Sequence, residues 1–80
     1  MRKVPLVLET DQLGRTVKTI TVWMNGENAS GVGGYAETNE DAALAAAYYK
    51  KIKYGHEAKV TIKLKKTNKG MLWAWSVKYK

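Results

Sequence analysis

Lysines and flat aromatic rings are the residues best placed to do chemistry in this chain. Lys59, Lys63 and Lys65 fall at odd positions of one segment, and Trp73, Trp75 and Tyr79 at odd positions of the next. Lys66 and Lys69 lie at the hairpin tip that joins the two segments, and Trp23 stands in an earlier run of Val, Thr and Ile. Cations meet phosphates, and ring faces accept bases at roughly 1–3 kcal/mol per stacked base, so this interleaving suits single-stranded nucleic acid. The candidate binding residues are therefore Trp23, Lys59, Lys63, Lys65, Lys66, Lys69, Trp73, Trp75 and Tyr79. An exposed Trp-rich patch serves a protein interface as well, because Trp and Tyr dominate binding hot spots. The alternative expectation is thus an inhibitor or adaptor, of the compact phage-type accessory kind, docking on an acidic partner such as a nucleic-acid enzyme. A homodimer through the open sheet face belongs to the same class. A plainer reading is that the lysines solvate a small domain and guard its strand edges.

Catalytic and metal chemistry find little support. His56 is the only histidine, and there is no cysteine, which excludes disulfides and thiolate zinc sites. Glu57 adjoins His56, but neighbours in a strand point to opposite faces. Ser30 and Ser76 have no visible activating base. Gly31-Val32-Gly33-Gly34 precedes a helix, as a phosphate cradle would, yet Glu37, Glu40 and Asp41 crowd the helix start and would repel an anion. No Lys-Ser/Thr pair follows, so a P-loop is absent and a flexible loop or bulge is expected there. The expectation is a non-enzymatic binding module without cofactor or metal.

Charge sharpens the reading. The chain has 80 residues, 45% of them hydrophobic, and a formal net charge of +7. Residues 1–40 carry four basic and five acidic residues, while residues 41–80 carry ten lysines against Asp41 and Glu57. The whole positive excess lies in the second half, and there it is all lysine. Lysine acts as a point charge suited to phosphates, whereas arginine supplies the fork that reads guanine edges. Backbone contact with weak sequence preference is the mode expected of it. Val4 to Leu8 is shorter than the ~7–15 apolar residues of a signal-peptide core, and no run approaches the ~18 of a membrane span. A cytoplasmic protein with no membrane partner is expected.

Turn signals and apolar alternation outline the strands and helix that carry these side chains. One domain, 1–80, is expected at this length. Strands are predicted near Lys3–Glu9, with Pro5 marking an edge, and near Arg15–Met24. Asp11-Gln12-Leu13-Gly14 forms a three-residue hairpin loop with Gly14 left-handed. That register pairs Leu8 with Lys18, Leu6 with Ile20 and Val4 with Val22. Asn25-Gly26 reads as a turn, and Glu27–Glu37 as a weak, glycine-interrupted third strand. Thr38 to Asp41 resembles a capping signal for a helix from about Asn39 to Tyr54 that stops at Gly55, with Leu44, Ala45, Tyr48 and Ile52 along one stripe and Lys50 and Lys53 pointing away. Strands Glu57–Lys66 and Met71–Tyr79 complete an α+β domain. Its architecture is an antiparallel sheet of four or five strands with one helix on one face, in the order β-β-(β)-α-β-β.

The last hairpin has two registers. A two- or four-residue loop pairs Leu64 with Trp73, Ile62 with Trp75 and Val60 with Val77, burying the aromatics. A three-residue loop with Gly70 left-handed pairs Lys65 with Trp73, Lys63 with Trp75 and Lys59 with Tyr79, opening a face of lysines and rings. Segregation of apolar from charged residues favours the first. The likeness of Thr67–Gly70 to Asp11–Gly14, and the volume already filling the helix-covered face, favour the second, which is the expected register. The lysine-and-aromatic logic is analogous to that of RNA-recognition and cold-shock sheets, although the element order differs and no signature run of those families is present.

Overall fold

Turn chemistry and apolar alternation build the five strands and one α-helix of the described residues. The computed structural model describes residues 2–79. The elements run β1 (Arg2–Thr10), β2 (Thr16–Asn28), β3 (Gly31–Ala36), α1 (Asn39–Tyr49), a π-helical turn (Lys50–Tyr54), β4 (Lys59–Thr67) and β5 (Gly70–Lys78). The strands form one antiparallel sheet in the order β1-β2-β3-β5-β4, with α1 across one face. This is the expected α+β architecture in its five-strand form.

The first hairpin follows its predicted register away from the turn, with Val4 opposite Val22 and Leu6 opposite Ile20. Gly14 is left-handed at φ +82°, and the Asp11 carboxylate accepts from the Leu13 and Arg15 N–H groups at 2.9 Å each. The Arg15 backbone bond is the main reason the Asp11 carboxyl lies below its ordinary pKa. A bulge around Leu8 and Glu9 brings Glu9, in place of Leu8, opposite Lys18.

The second turn lies elsewhere than Asn25-Gly26. β2 runs through that dipeptide, which is absorbed as a bulge, and continues to Asn28. Asn28 Oδ1 makes the turn by accepting from the N–H groups of Ser30 (2.9 Å) and Gly31 (3.1 Å). The bulge changes the face on which the next residues lie. Glu27 therefore pairs with Val32 on the helix side and meets Lys53 Nζ at 2.6 Å. Lys53, expected to point away from the sheet, is held by that ion pair.

Thr38 caps α1, its Oγ1 accepting from the Asp41 N–H at 3.0 Å, and Glu40 and Asp41 lie in the first turn. Thr38→Ala is expected to lower unfolding free energy by about 1 kcal/mol, measured by urea denaturation, because one end donor loses its partner. At the other end the Gly55 N–H reaches Lys50 O at 2.7 Å, closing the π turn, and Gly55 stops the helix at φ +84°.

The core stripe of the helix differs from the predicted one. Ala42, Ala45, Ala46 and Tyr49 are buried, with Tyr54 from the π turn, whereas Leu44 and Tyr48 are half-buried and Ile52 is 58% exposed. Alanines face the sheet because the sheet brings a large group to them. Trp75 is 2% exposed and stacks on Tyr49 with ring centroids 5.6 Å apart and planes 14° from parallel. On the sheet side the indole lies over Gly34, where a Cβ would meet Trp75 Cζ2 at 3.0 Å and collide with Trp23 O. Burial raises the Tyr49 phenol pKa, and its hydroxyl faces Met24 Sδ at 3.8 Å.

The last hairpin takes the burying register. Thr67 pairs with Gly70 around a two-residue loop, setting Leu64 opposite Trp73, Ile62 opposite Trp75 and Val60 opposite Val77. This overturns the expected three-residue loop. Gly70 is left-handed at φ +101° but begins a strand, while Thr67 Oγ1 accepts from the Lys69 N–H at 3.1 Å and donates to Gly70 O at 2.9 Å. The room thought lacking for an indole is supplied by Gly34 beneath it and by the alanine face of α1 above. Among the described residues no helix is long and apolar enough to cross a membrane.

Candidate functional site

The face of the sheet opposite α1 is built from residues that alternate with the core. By register it presents Lys3, Pro5 and Val7 from β1, Thr19, Thr21 and Trp23 from β2, and Gly33 and Tyr35 from β3. β5 adds Ala74, Ser76 and Lys78, with Leu72 buried on the same side, and β4 adds Lys59, Thr61, Lys63 and Lys65. None of these strand positions is acidic. The chain's carboxylates are engaged elsewhere in part, Asp11 with Arg15 in the first turn and Glu27 with Lys53 on the helix side.

One row crosses all five strands. Lys3 is opposite Trp23, Trp23 opposite Tyr35, Tyr35 opposite Ala74, and Ala74 opposite Lys63. With strands about 4.8 Å apart, the row is about 19 Å long. Two half-buried rings sit in its middle and a cation at each end. Lys3 Nζ lies 5.4 Å from the Trp23 ring centre, a cation–π distance that holds the charge beside the indole. Beside this row the face sinks into two shallow depressions. One of about 470 Å³ is lined by Gly26, Gly33, Ser76 and Lys78 together with Asn28 and Gly31 of the second turn. Another, of about 540 Å³, runs along β4 and β5 between Lys63, Lys65 and Lys78 over Ala74 and Ser76.

The predicted binding residues divide between the two faces. Trp23, Lys59, Lys63 and Lys65 share the open face, and the three lysines are exposed. Trp75 lies in the core, and Trp73 packs half-buried against it beneath the helix side. They leave the open face because the two-residue loop sets them opposite Ile62 and Leu64. Lys66 also falls on the helix side, opposite exposed Met71, and Lys69 is in the hairpin tip. Tyr79 follows β5, where its N–H donates to Ser30 O at 2.8 Å and its ring borders a recess with Lys53 and Tyr54. It does not join the lysines. His56 is exposed in the connection between the π turn and β4.

Sequence reasoning missed Tyr35, Lys3 and Lys78. The predicted pairing of Val4 with Val22 puts Lys3 beside Trp23 on the opposite face, so the position of Lys3 was within reach. Tyr35 needed the true position of the second turn. Among the described residues no group of three or more His, Cys, Asp or Glu side chains could hold a metal ion. No protein-family model, no curated protein and no solved structure matches the chain.

Proposed function

We propose that the open face binds single-stranded nucleic acid through phosphate contacts and base stacking, with weak sequence preference. The observation that carries this reading is the row Lys3–Trp23–Tyr35–Ala74–Lys63, in which two rings lie between cations on a face free of acidic strand residues. Rings at neighbouring strands offer two stacking platforms, while Lys59, Lys65 and Lys78 extend the positive field along the flank. The candidates for contact are Lys3, Trp23, Tyr35, Lys59, Lys63, Lys65 and Lys78. Trp73 and Trp75 support the sheet from behind, and Tyr79 lies outside the surface.

Titration with single-stranded DNA and RNA oligonucleotides at low salt tests the reading. Tryptophan emission is expected to be quenched on binding and restored by salt, and Trp23→Phe is expected to remove the quenching while keeping binding. Lys63→Ala and Lys65→Ala are each expected to reduce the slope of log affinity against log salt by about 0.7, the value per phosphate for single strands. Unchanged slopes in both variants would exclude these lysines from phosphate contact, and no affinity for either oligonucleotide would sink the reading.

A further inference from the structure

We propose that the outer edge of β4 is a strand-addition site for an extended peptide in which acidic and apolar residues alternate, a segment of a partner protein. β4 is last in the sheet order and, among the described residues, pairs with β5 alone, so one side of its nine-residue backbone faces no strand of them. Its side chains give that edge two unlike faces. Lys59, Thr61, Lys63 and Lys65 point to the open side, and Val60, Ile62 and Leu64 to the helix side. The helix does not fully cover the second column, leaving Val60 40% and Leu64 51% exposed. Lysines alone would guard an edge against pairing. An apolar column left open beside them provides what a guard does not need, a surface for alternate side chains of an added strand. The opposite edge, β1, carries Pro5, which lacks an N–H and interrupts any such ladder.

Charge selects the occupant. A second copy pairing antiparallel with both lysine columns on one face meets itself badly in every central register. Centred on Thr61, Ile62, Lys63 or Leu64, such pairing sets Lys63 against Lys59, Lys65 against Lys59, Lys63 against Lys63, or Lys63 against Lys65. Like charges directly opposite destabilise a strand pair, whereas carboxylates opposite the lysines stabilise it. An acidic residue at every second position meets Lys59, Lys63 and Lys65, and the intervening apolar residues extend the Val60–Ile62–Leu64 column. Backbone hydrogen bonds would supply affinity and the two columns register.

The test uses the full chain, isotope-labelled, and a capped nonapeptide of alternating glutamate and valine. The peptide is expected to shift and protect backbone amides within residues 59–67. Its lysine–valine counterpart, and a glutamate–valine peptide N-methylated at every second amide to block one hydrogen-bonding edge, are each expected to bind roughly tenfold more weakly or less. The variant Lys63→Glu/Lys65→Glu is expected to reverse the preference between the two charged peptides. Undisturbed β4 amides would overturn the proposal, as would equal binding of the N-methylated peptide. Shifts centred on Trp23 and Tyr35 would also overturn it, because the peptide would then be lying on the face that oligonucleotides are expected to use.

Discussion

Trp75→Ala is expected to leave the chain largely unfolded. Truncating a buried tryptophan removes about 3–5 kcal/mol, and a domain of this size holds on the order of 4–12 kcal/mol in all. The site cannot collapse to refill the space. Gly34 beneath the ring has no side chain to lean in, and Ala42, Ala45 and Ala46 of α1 are already fully buried and too short to reach across. The stack on Tyr49 is lost together with the contact that joins the helix to β5. Trp75→Phe separates ring packing from indole chemistry. Trp75 Nε1 is buried without a hydrogen-bond partner among the described residues, so a phenyl ring gives up no hydrogen bond. The phenylalanine variant is expected to keep the native circular-dichroism spectrum and a cooperative melt, and the alanine variant to lose both. An alanine variant that melts within a few degrees of the parent would show that the helix is held to the sheet by other contacts.

Replacing both Trp23 and Tyr35 by leucine is expected to remove most of the affinity for single-stranded oligonucleotides. Each stacked base contributes about 1–3 kcal/mol, so the pair accounts for a loss between roughly 30-fold and 10⁴-fold. No single lysine has comparable leverage, because its phosphate contact is screened by salt. Leucine keeps apolar cover over the sheet while deleting the ring faces. Affinity is measured by fluorescence polarisation of a labelled oligonucleotide, and folding by thermal melting of the same variant. An intact melt with unchanged affinity would mean that the rings only pack on the sheet, and binding would then rest on charge alone.

Much of this architecture was legible because local chemistry and the apolar pattern agreed. Asp11 and Gly14 fix the first loop, and alternation then places Leu6 opposite Ile20. Thr38 and Gly55 bracket the helical segment, as their capping chemistry predicts. Three of the misreadings turn on a glycine whose role depends on its partners. Gly14 closes a loop and Gly70 opens a strand, although both are left-handed and both follow similar residues. Gly26 sits in a bulge, where the Asn-Gly dipeptide otherwise signals a turn. A two-residue turn there would pair Trp23 with Asn28 and hide its true neighbour, Tyr35. Gly34 supplies the space that volume reasoning denied to Trp75, and only the pairing of β3 with β5 shows that it does. The lysines of β4 were legible because their alternation survives either loop length.

The glycines of β3 also decide how the sheet bends. β1 and β2 form one hairpin and β4 and β5 another, each with large or branched side chains locked across the pair. Between them runs Gly31-Val32-Gly33-Gly34, where few side chains meet across the strands to fix their relative twist. Lys3 belongs to the first hairpin and Lys59, Lys63 and Lys65 to the second. The span between the two cationic flanks is therefore set across a strand half of whose residues are glycine, so the separation of the charges rests on backbone pairing and on the helix behind it more than on side chains meeting across the seam.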